Sequence, residues 1–135
     1  MRIFIVHGIH SNDDEGWMYD YAAEFERAGI TAKVWTYGYA YAVLTRWQNP
    51  GRIEKLYKEI KRGDMLLGHS NGCALIYGAA VLGAPIRGAV LLNPALDSDK
   101  FMPPQVQWVN IYPNHDDAAV KIAKLFPKHP WGSQG

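Results

Sequence analysis

Short apolar runs alternate with segments of helical spacing along this sequence, and no other feature restricts its fold as strongly. Each run is short and apolar, which is typical of a strand buried in a parallel sheet. The predicted strands are Ile3–Val6, Thr31–Tyr37, Asp64–Gly68, Ile86–Leu92 and Val106–Ile111. Because each connection is long enough for a crossover, the alternation predicts an α/β fold in which a parallel sheet carries helices on both faces.

The segments between these strands place apolar residues at three- and four-residue steps, which predicts amphipathic helices. The predicted helices are Trp17–Ala28, Ile53–Ile60, Gly72–Leu82 and Ala118–Phe126. The third helix consists mainly of small residues and should therefore pack closely against the sheet. Residues 128–135 lack periodicity and are expected to form an irregular tail. Since there is no repeat, no linker and no room for a cap domain, the 135 residues predict a single domain, 1–135.

Charge and cysteine content exclude several classes of protein. The 14 basic and 13 acidic residues nearly cancel, whereas a nucleic-acid-binding protein needs a concentrated basic surface. The single cysteine, Cys73, cannot form an internal disulfide, which favours a reducing compartment. The first apolar run, Ile3–Val6, is too short for a signal peptide or a membrane span. The sequence therefore predicts a cytoplasmic protein.

The sequence Gly68-His69-Ser70-Asn71-Gly72 joins the third strand to the small-residue helix. It has the pattern G-x-S-x-G in the strand–turn–helix context in which this pattern marks a nucleophilic serine. A turn this tight would bring a side chain at either flank against neighbouring backbone, and glycine removes that side chain. Ser70 is then expected at the carboxyl edge of the sheet. The Asn71 N–H, at the positive end of the helix, is a candidate donor to a developing oxyanion.

In this context the chain resembles the α/β-hydrolase family, in particular its small, lid-less serine esterase-like members. A second motif supports the resemblance, since His7-Gly8 ends the first strand, where the family has an HG motif. The resemblance implies that the Ile9 N–H is the second oxyanion donor and that His7 and Gly8 support the loop. It also implies a minimal α/β-hydrolase core, with five strands, all parallel, in the order 2-1-3-4-5.

The resemblance further implies a triad in the chain order serine, acid, histidine. Asp117, three residues before Val120, fits the family's spacing for the acid, while Asp116 fits the N-cap of the helix that follows. Asp116 is also an alternative acid, and Asp97, after the fourth strand, is a third candidate. His129 is the only histidine downstream of Asp117 and is the candidate base. It lies 12 residues beyond that aspartate, closer than is usual in the family.

These motifs predict a serine hydrolase that cleaves a carboxylic ester or thioester through an acyl-enzyme on Ser70. The alternative is a catalytically inactive hydrolase-like module that binds or interacts but lacks a working base. No cofactor is predicted, because no phosphate-binding glycine motif follows a strand. No metal is predicted, because His10 beside Asp13–Glu15 lacks ligand spacing. The expected partner is a small-molecule ester or acylated substrate, and the chain is expected to be a monomer or a homodimer.

Tyr37, Tyr39, Tyr41 and Trp47 follow the second strand near the same edge of the sheet. The sequence leaves open whether these aromatic residues form the wall of a pocket or pack as an ordinary loop. Cys73, inside the small-residue helix, is expected to be a core residue rather than a nucleophile.

Overall fold

The strands and helices of the described part of the chain follow the predicted order. The computed structural model describes residues 1–8, 16–37, 49–96 and 99–113. Its elements are β1 Arg2–Val6, α1 Gly16–Arg27, β2 Thr31–Trp35, α2 Asn49–Glu59, β3 Met65–His69, α3 Asn71–Val81, β4 Gly88–Leu92 and β5 Trp108–Tyr112. The predicted helix Ala118–Phe126 and the tail 128–135 lie outside the described residues. No helix within the described ranges is long and apolar enough to cross a membrane.

All five strands pair in parallel in one sheet, in the order β2-β1-β3-β4-β5. This confirms the predicted strand order. β1 and β3 are neighbours, with Val6 opposite Gly68, and β3 pairs with β4 as far as His69 opposite Leu92. Because parallel strands end at the same edge of a sheet, the segments that follow β1, β3 and β4 meet at that edge.

The alternating side chains of β1 show how the sheet is covered on both faces. Phe4 and Val6 belong to the larger core, which also contains side chains of α2 and α3. Ile3 and Ile5 belong to a smaller core with Met18 of α1. These five side chains are at most 4% exposed. Burial on both faces explains why β1 is continuously apolar instead of alternating with polar residues.

The helix α3 is buried much more than the other two described helices. Seven of its 11 residues are buried, against one in α1 and two in α2. Its small side chains also let α2 approach, since a Cβ added at Gly78 would lie 2.4 Å from Ile53 Cδ1. The prediction that the small-residue helix packs closely is therefore confirmed.

Three strand boundaries differ from the predicted ones by two residues, and four others differ by one. β2 ends at Trp35, so Tyr37 lies beyond the strand. β4 and β5 each begin two residues later than predicted. The apolar side chains of Ile86 and Val106 are buried, but their N–H groups bond to the nearby carbonyls of Ala84 and Pro103 instead of a neighbouring strand. Their apolar side chains extended the predicted strands, although their backbones lie outside the hydrogen-bonded ladder.

The start of α2 is also earlier than predicted. The helix begins at Asn49, four residues before Ile53, and includes Pro50 and Gly51. Proline is tolerated in the first helical turn, because the N–H that it lacks would have no acceptor within the helix. The prediction from the sequence therefore missed the first turn of α2, Asn49–Arg52.

Glu59, at the end of α2, connects this helix to β2. Its carboxylate accepts hydrogen bonds from Lys33 Nζ and from Trp35 Nε1, the latter at 3.0 Å. The hydrogen bond from Lys33 is the main reason that the pKa of Glu59 lies below its usual value. The Glu59 carbonyl also accepts from the guanidinium of Arg2 in β1 at 3.2 Å.

We expect Glu59→Gln to lower the free energy of unfolding at pH 7 by up to about 1 kcal/mol. The amide has no charge and only one acceptor oxygen for the two donors, while solvent screens part of the interaction that is lost. A carboxyl whose pKa is lowered by folding stabilises the fold above its unfolded pKa and loses this contribution as the pH falls through its folded pKa. The difference from wild type in urea unfolding should therefore shrink below about pH 4.

The matched control for this measurement is Glu54→Gln on the same helix. Glu54 pairs with Lys58 on the exposed face of α2, with both side chains at least 60% exposed. Exposed pairs contribute little, so this variant should be closer to wild type in stability. Equal losses in the two variants would contradict a specific role for Glu59.

Candidate active site

Ser70 occupies the turn between β3 and α3 in a backbone conformation that L residues rarely adopt. Its φ is 51° and its ψ is −121°. Such a conformation costs of order 1–3 kcal/mol and persists only where the surrounding structure holds it. The Ser70 N–H donates to the Leu92 carbonyl at 3.0 Å, and the Ser70 carbonyl accepts from the N–H groups of Cys73 and Ala95 at 3.0 and 3.2 Å. Hydrogen bonds on both sides therefore fix this residue.

The glycines that flank Ser70 occupy positions where a side chain would clash. A Cβ added at Gly72 would lie 2.2 Å from the Val6 carbonyl oxygen. A Cβ added at Gly68 would lie 2.7 Å from Ile76 Cδ1 and 3.1 Å from the Cys73 nitrogen. The turn is therefore as tight as the glycine spacing indicates, and α3 starts in direct contact with the backbone of β1.

The segment that follows β1 lies beside Ser70. A Cβ added at Gly8 would lie 3.0 Å from Ser70 Cβ and 3.2 Å from His69 Nδ1. The structure thus brings the His7-Gly8 pair and the serine turn, Gly68–Gly72, together at the carboxyl edge of the sheet. This contact follows from the pairing of β1 with β3.

His7 is buried, with 1% of its surface exposed, and both of its ring nitrogens are occupied. The Tyr37 N–H donates to Nε2 at 3.3 Å, and Nδ1 lies 2.5 Å from the Gly8 carbonyl oxygen. Because Nε2 accepts, this hydrogen-bond pattern assigns the ring proton to Nδ1, which donates to Gly8. In this arrangement the imidazole holds the Gly8 backbone and has no free nitrogen with which to take a proton from a substrate.

Two residues that the sequence analysis did not assign to the site, Tyr37 and Asn49, connect the His7-Gly8 pair to the serine turn. The Tyr37 hydroxyl donates to the His7 carbonyl at 3.0 Å and accepts from Asn71 Nδ2 at 3.2 Å. Asn49 Nδ2 donates to Asn71 Oδ1 at 2.9 Å. Burial raises the pKa of Tyr37 to about 12, so the hydroxyl keeps its proton at neutral pH. Tyr37 therefore packs within the site's support instead of forming the wall of an open pocket.

Residues 3–124 match the family described as serine hydrolase. The chain belongs to the serine hydrolase family. The match covers most of the chain and includes both the His7-Gly8 pair and the serine turn. No curated protein matches the sequence significantly.

Solved structures similar to this chain are described as hydrolases. An extracellular α/β-hydrolase from a Paenibacillus species, described as sharing structural and functional homology with tobacco salicylic acid binding protein 2, is 20% identical, with a TM-score of 0.58 over 73% of this chain and 43% of that one. A pyrethroid hydrolase from Sphingobium faniae is 21% identical, with a TM-score of 0.48 over 72% and 41%. The chain spans less than half the length of either. The first of these likenesses confirms the α/β-hydrolase fold.

Cys73 is fully buried in α3. Its Sγ lies 3.6 Å from the Leu92 carbonyl oxygen, and burial raises the pKa of the thiol. A protonated thiol without access to solvent is a poor nucleophile. Its surroundings are those of a core residue, as expected from the sequence.

Five residues predicted for the site lie outside the described residues, and their roles stay predictions. They are Ile9, Asp97, Asp116, Asp117 and His129. The described part of the site therefore consists of the serine turn, the His7-Gly8 pair and the side chains that hold them. A mechanism for the site is therefore built on these groups.

Proposed function

We propose that this hydrolase cleaves a carboxylic ester or thioester through an acyl-enzyme on Ser70. The observation that carries the proposal is the strained backbone of Ser70, held by hydrogen bonds on both sides and packed against Gly8. Strain of this kind is retained where it serves a function, and here it sets the serine at the carboxyl edge of the sheet, between a strand and a helix. A serine that served only to form a turn would have no use for a strained backbone conformation.

In the proposed reaction, Ser70 Oγ attacks the carbonyl carbon while its proton passes to His129. Asp117 orients the imidazole and stabilises its charged form, with Asp116 and Asp97 as the alternative acids. The tetrahedral intermediate collapses, and the alcohol or thiol leaves with the proton from His129. Water, deprotonated by the same histidine, then releases the carboxylic acid and restores the Ser70 hydroxyl.

The proposed oxyanion donors are the backbone N–H groups of Asn71 and Ile9. Asn71 is the first residue of α3, and N–H groups in a first helical turn have no acceptor within the helix. The positive end of the helix dipole lies at the same place, which favours a negative oxygen. The closeness of Gly8 to Ser70 supports a second donor from the residue that follows.

The proposed substrate is a small-molecule ester or an acylated compound. We also propose a single domain without a cap, acting as a monomer or a homodimer in the cytoplasm. The reducing environment proposed here suits a chain with one cysteine, which is buried.

The test is the intact mass of the protein after treatment with a fluorophosphonate, a reagent that phosphonylates activated serines. Wild type should gain one adduct, and Ser70→Ala should gain none. The matched control is Ser133→Ala, which removes another serine and should leave the adduct in place. A folded wild-type protein without an adduct would overturn the proposal and favour the inactive binding module.

A further inference from the structure

A buried polar network joins the end of β1 to the start of α3 and the start of α2. We use this name for the side chains of His7, Tyr37, Asn49 and Asn71. His7 and Asn71 are each 1% exposed and Asn49 is 9% exposed. Buried amides and hydroxyls are costly unless they are hydrogen-bonded, so a network of this kind has few alternative arrangements.

Tyr37 is the member of the network that contacts both sides of the candidate oxyanion site. Its hydroxyl donates its only proton to the His7 carbonyl and accepts from Asn71 Nδ2. Its N–H binds the His7 ring, and its own ring stacks on that imidazole with centroids 4.1 Å apart and planes 8° from parallel. The guanidinium carbon of Arg52 lies 4.8 Å from the centroid of the Tyr37 ring.

The His7-Gly8 pair lies just beyond the end of β1, and Tyr37 contacts it there. The last residue of β1 is Val6, which pairs with Trp35 on one side and Gly68 on the other. Just beyond Val6, Tyr37 binds His7 at two points, with its hydroxyl at the His7 carbonyl and with its N–H at the His7 ring. A donor displaced by about 1 Å can lower the rate of an enzyme about a hundredfold, so the spacing of the two donors has to be fixed.

We propose that Tyr37 is a positioning residue that fixes the spacing between the His7-Gly8 pair and the start of α3, and thereby the geometry of the oxyanion site. This inference rests on the proposed function of Ser70. Tyr37 touches neither the substrate nor the reacting atoms, and it acts through the His7 carbonyl and the Asn71 side chain. Asn49 supports it by holding the other end of the Asn71 amide.

The experiment compares Tyr37→Phe with Tyr57→Phe in the full chain. Tyr37→Phe keeps the ring stacked on His7 and removes only the hydroxyl, whereas Tyr57 is 38% exposed on α2 and serves as the control. We expect Tyr37→Phe to lower kcat for p-nitrophenyl acetate about tenfold with KM unchanged, because the oxyanion donors that it positions act mainly in the transition state. Loss of folded protein alone would not give this result, because rates are taken per folded molecule.

A second readout does not depend on turnover. In ¹H–¹⁵N spectra, Tyr37→Phe should shift the amide signals of Gly8 and Asn71 and speed their hydrogen exchange, and Tyr57→Phe should leave both signals unchanged. Should Tyr37→Phe fail to fold, Asn49→Asp replaces it, because this change removes the donor to Asn71 at constant size and should lower kcat in the same direction.

The outcomes separate the two proposals. Fluorophosphonate labelling of wild type together with unchanged kcat and unchanged amide signals in Tyr37→Phe would overturn the positioning role while the function stands. An equal effect of Tyr57→Phe would also overturn it. A wild type that neither labels nor hydrolyses ester would overturn the function and, with it, the catalytic part of this inference.

Discussion

Gly72→Ala is expected to lower the free energy of unfolding by about 3 kcal/mol, the upper end of the usual cost of overpacking. The added Cβ would lie 2.2 Å from the Val6 carbonyl oxygen and 2.7 Å from that of His7. The Val6 oxygen cannot move away easily, because β1 lies between two strands of the sheet. The His7 oxygen is held by the hydrogen bond from the Tyr37 hydroxyl. Alanine's better helix propensity offsets only about 0.5–1 kcal/mol of the clash. Urea unfolding followed by tryptophan fluorescence at pH 7 measures the change.

Gly51→Ala provides the matched control, since this glycine also lies in the first turn of a helix. A Cβ at Gly51 would meet nothing within 4 Å. The variant should therefore be more stable than wild type by up to about 1 kcal/mol, through helix propensity and the smaller entropy of the unfolded chain. If Gly72→Ala were as stable as wild type, the close approach of α3 to β1 would be wrong.

His129→Ala is expected to lower kcat for ester hydrolysis by about 10³–10⁴-fold, because the Ser70 hydroxyl is a weak nucleophile without a base. The matched control is His115→Ala, which removes a histidine from the same C-terminal third of the chain and should keep kcat within a few-fold of wild type. Steady-state rates with p-nitrophenyl acetate provide the measurement. A near-normal rate in His129→Ala would assign the base elsewhere.

The acid is identified by comparing Asp117→Asn, Asp116→Asn and Asp97→Asn. The correct position should lose up to about 10⁴-fold in kcat, because an amide in place of the carboxylate favours the wrong tautomer of the base. An aspartate that only caps a helix should cost about 1 kcal/mol of stability and leave kcat nearly unchanged. Three near-normal variants would exclude an acid at all these positions.

The architecture of the sheet could be predicted because its determinants are local. A continuous apolar run such as Ile3–Val6 is typical of a strand buried on both faces, and its alternation with helices predicts a parallel sheet. The strand order was implied by the resemblance to the α/β-hydrolase family. The serine turn could be predicted for the same local reason, because two glycines four residues apart, with a serine between them, indicate one tight turn. Boundaries were less certain where a buried side chain, such as Ile86, lies outside the hydrogen-bonded ladder.

The buried polar network could not be predicted, because its contacts join residues that are distant along the chain. Tyr37 is 34 positions from Asn71, and Asn49 is 22 positions from it. Periodicity reports which face a residue occupies but not which polar groups meet. The one available signal was that Tyr37 closely follows β2, whose carboxyl end lies at the same edge as the serine turn. For Asn49 there was no such signal in the sequence, because the predicted helix began at Ile53, four residues after it.

The burial of Cys73 gives the chain a built-in reporter of its own motions. A thiol reagent can reach this sulfur only when α3 separates from the sheet, so the rate of alkylation measures how often that opening occurs. The residue lies three positions after Ser70, whose carbonyl its N–H binds. A compound that occupies the serine turn would hold α3 in place and slow alkylation. Screening by thiol protection could therefore find ligands of this site before any substrate is known.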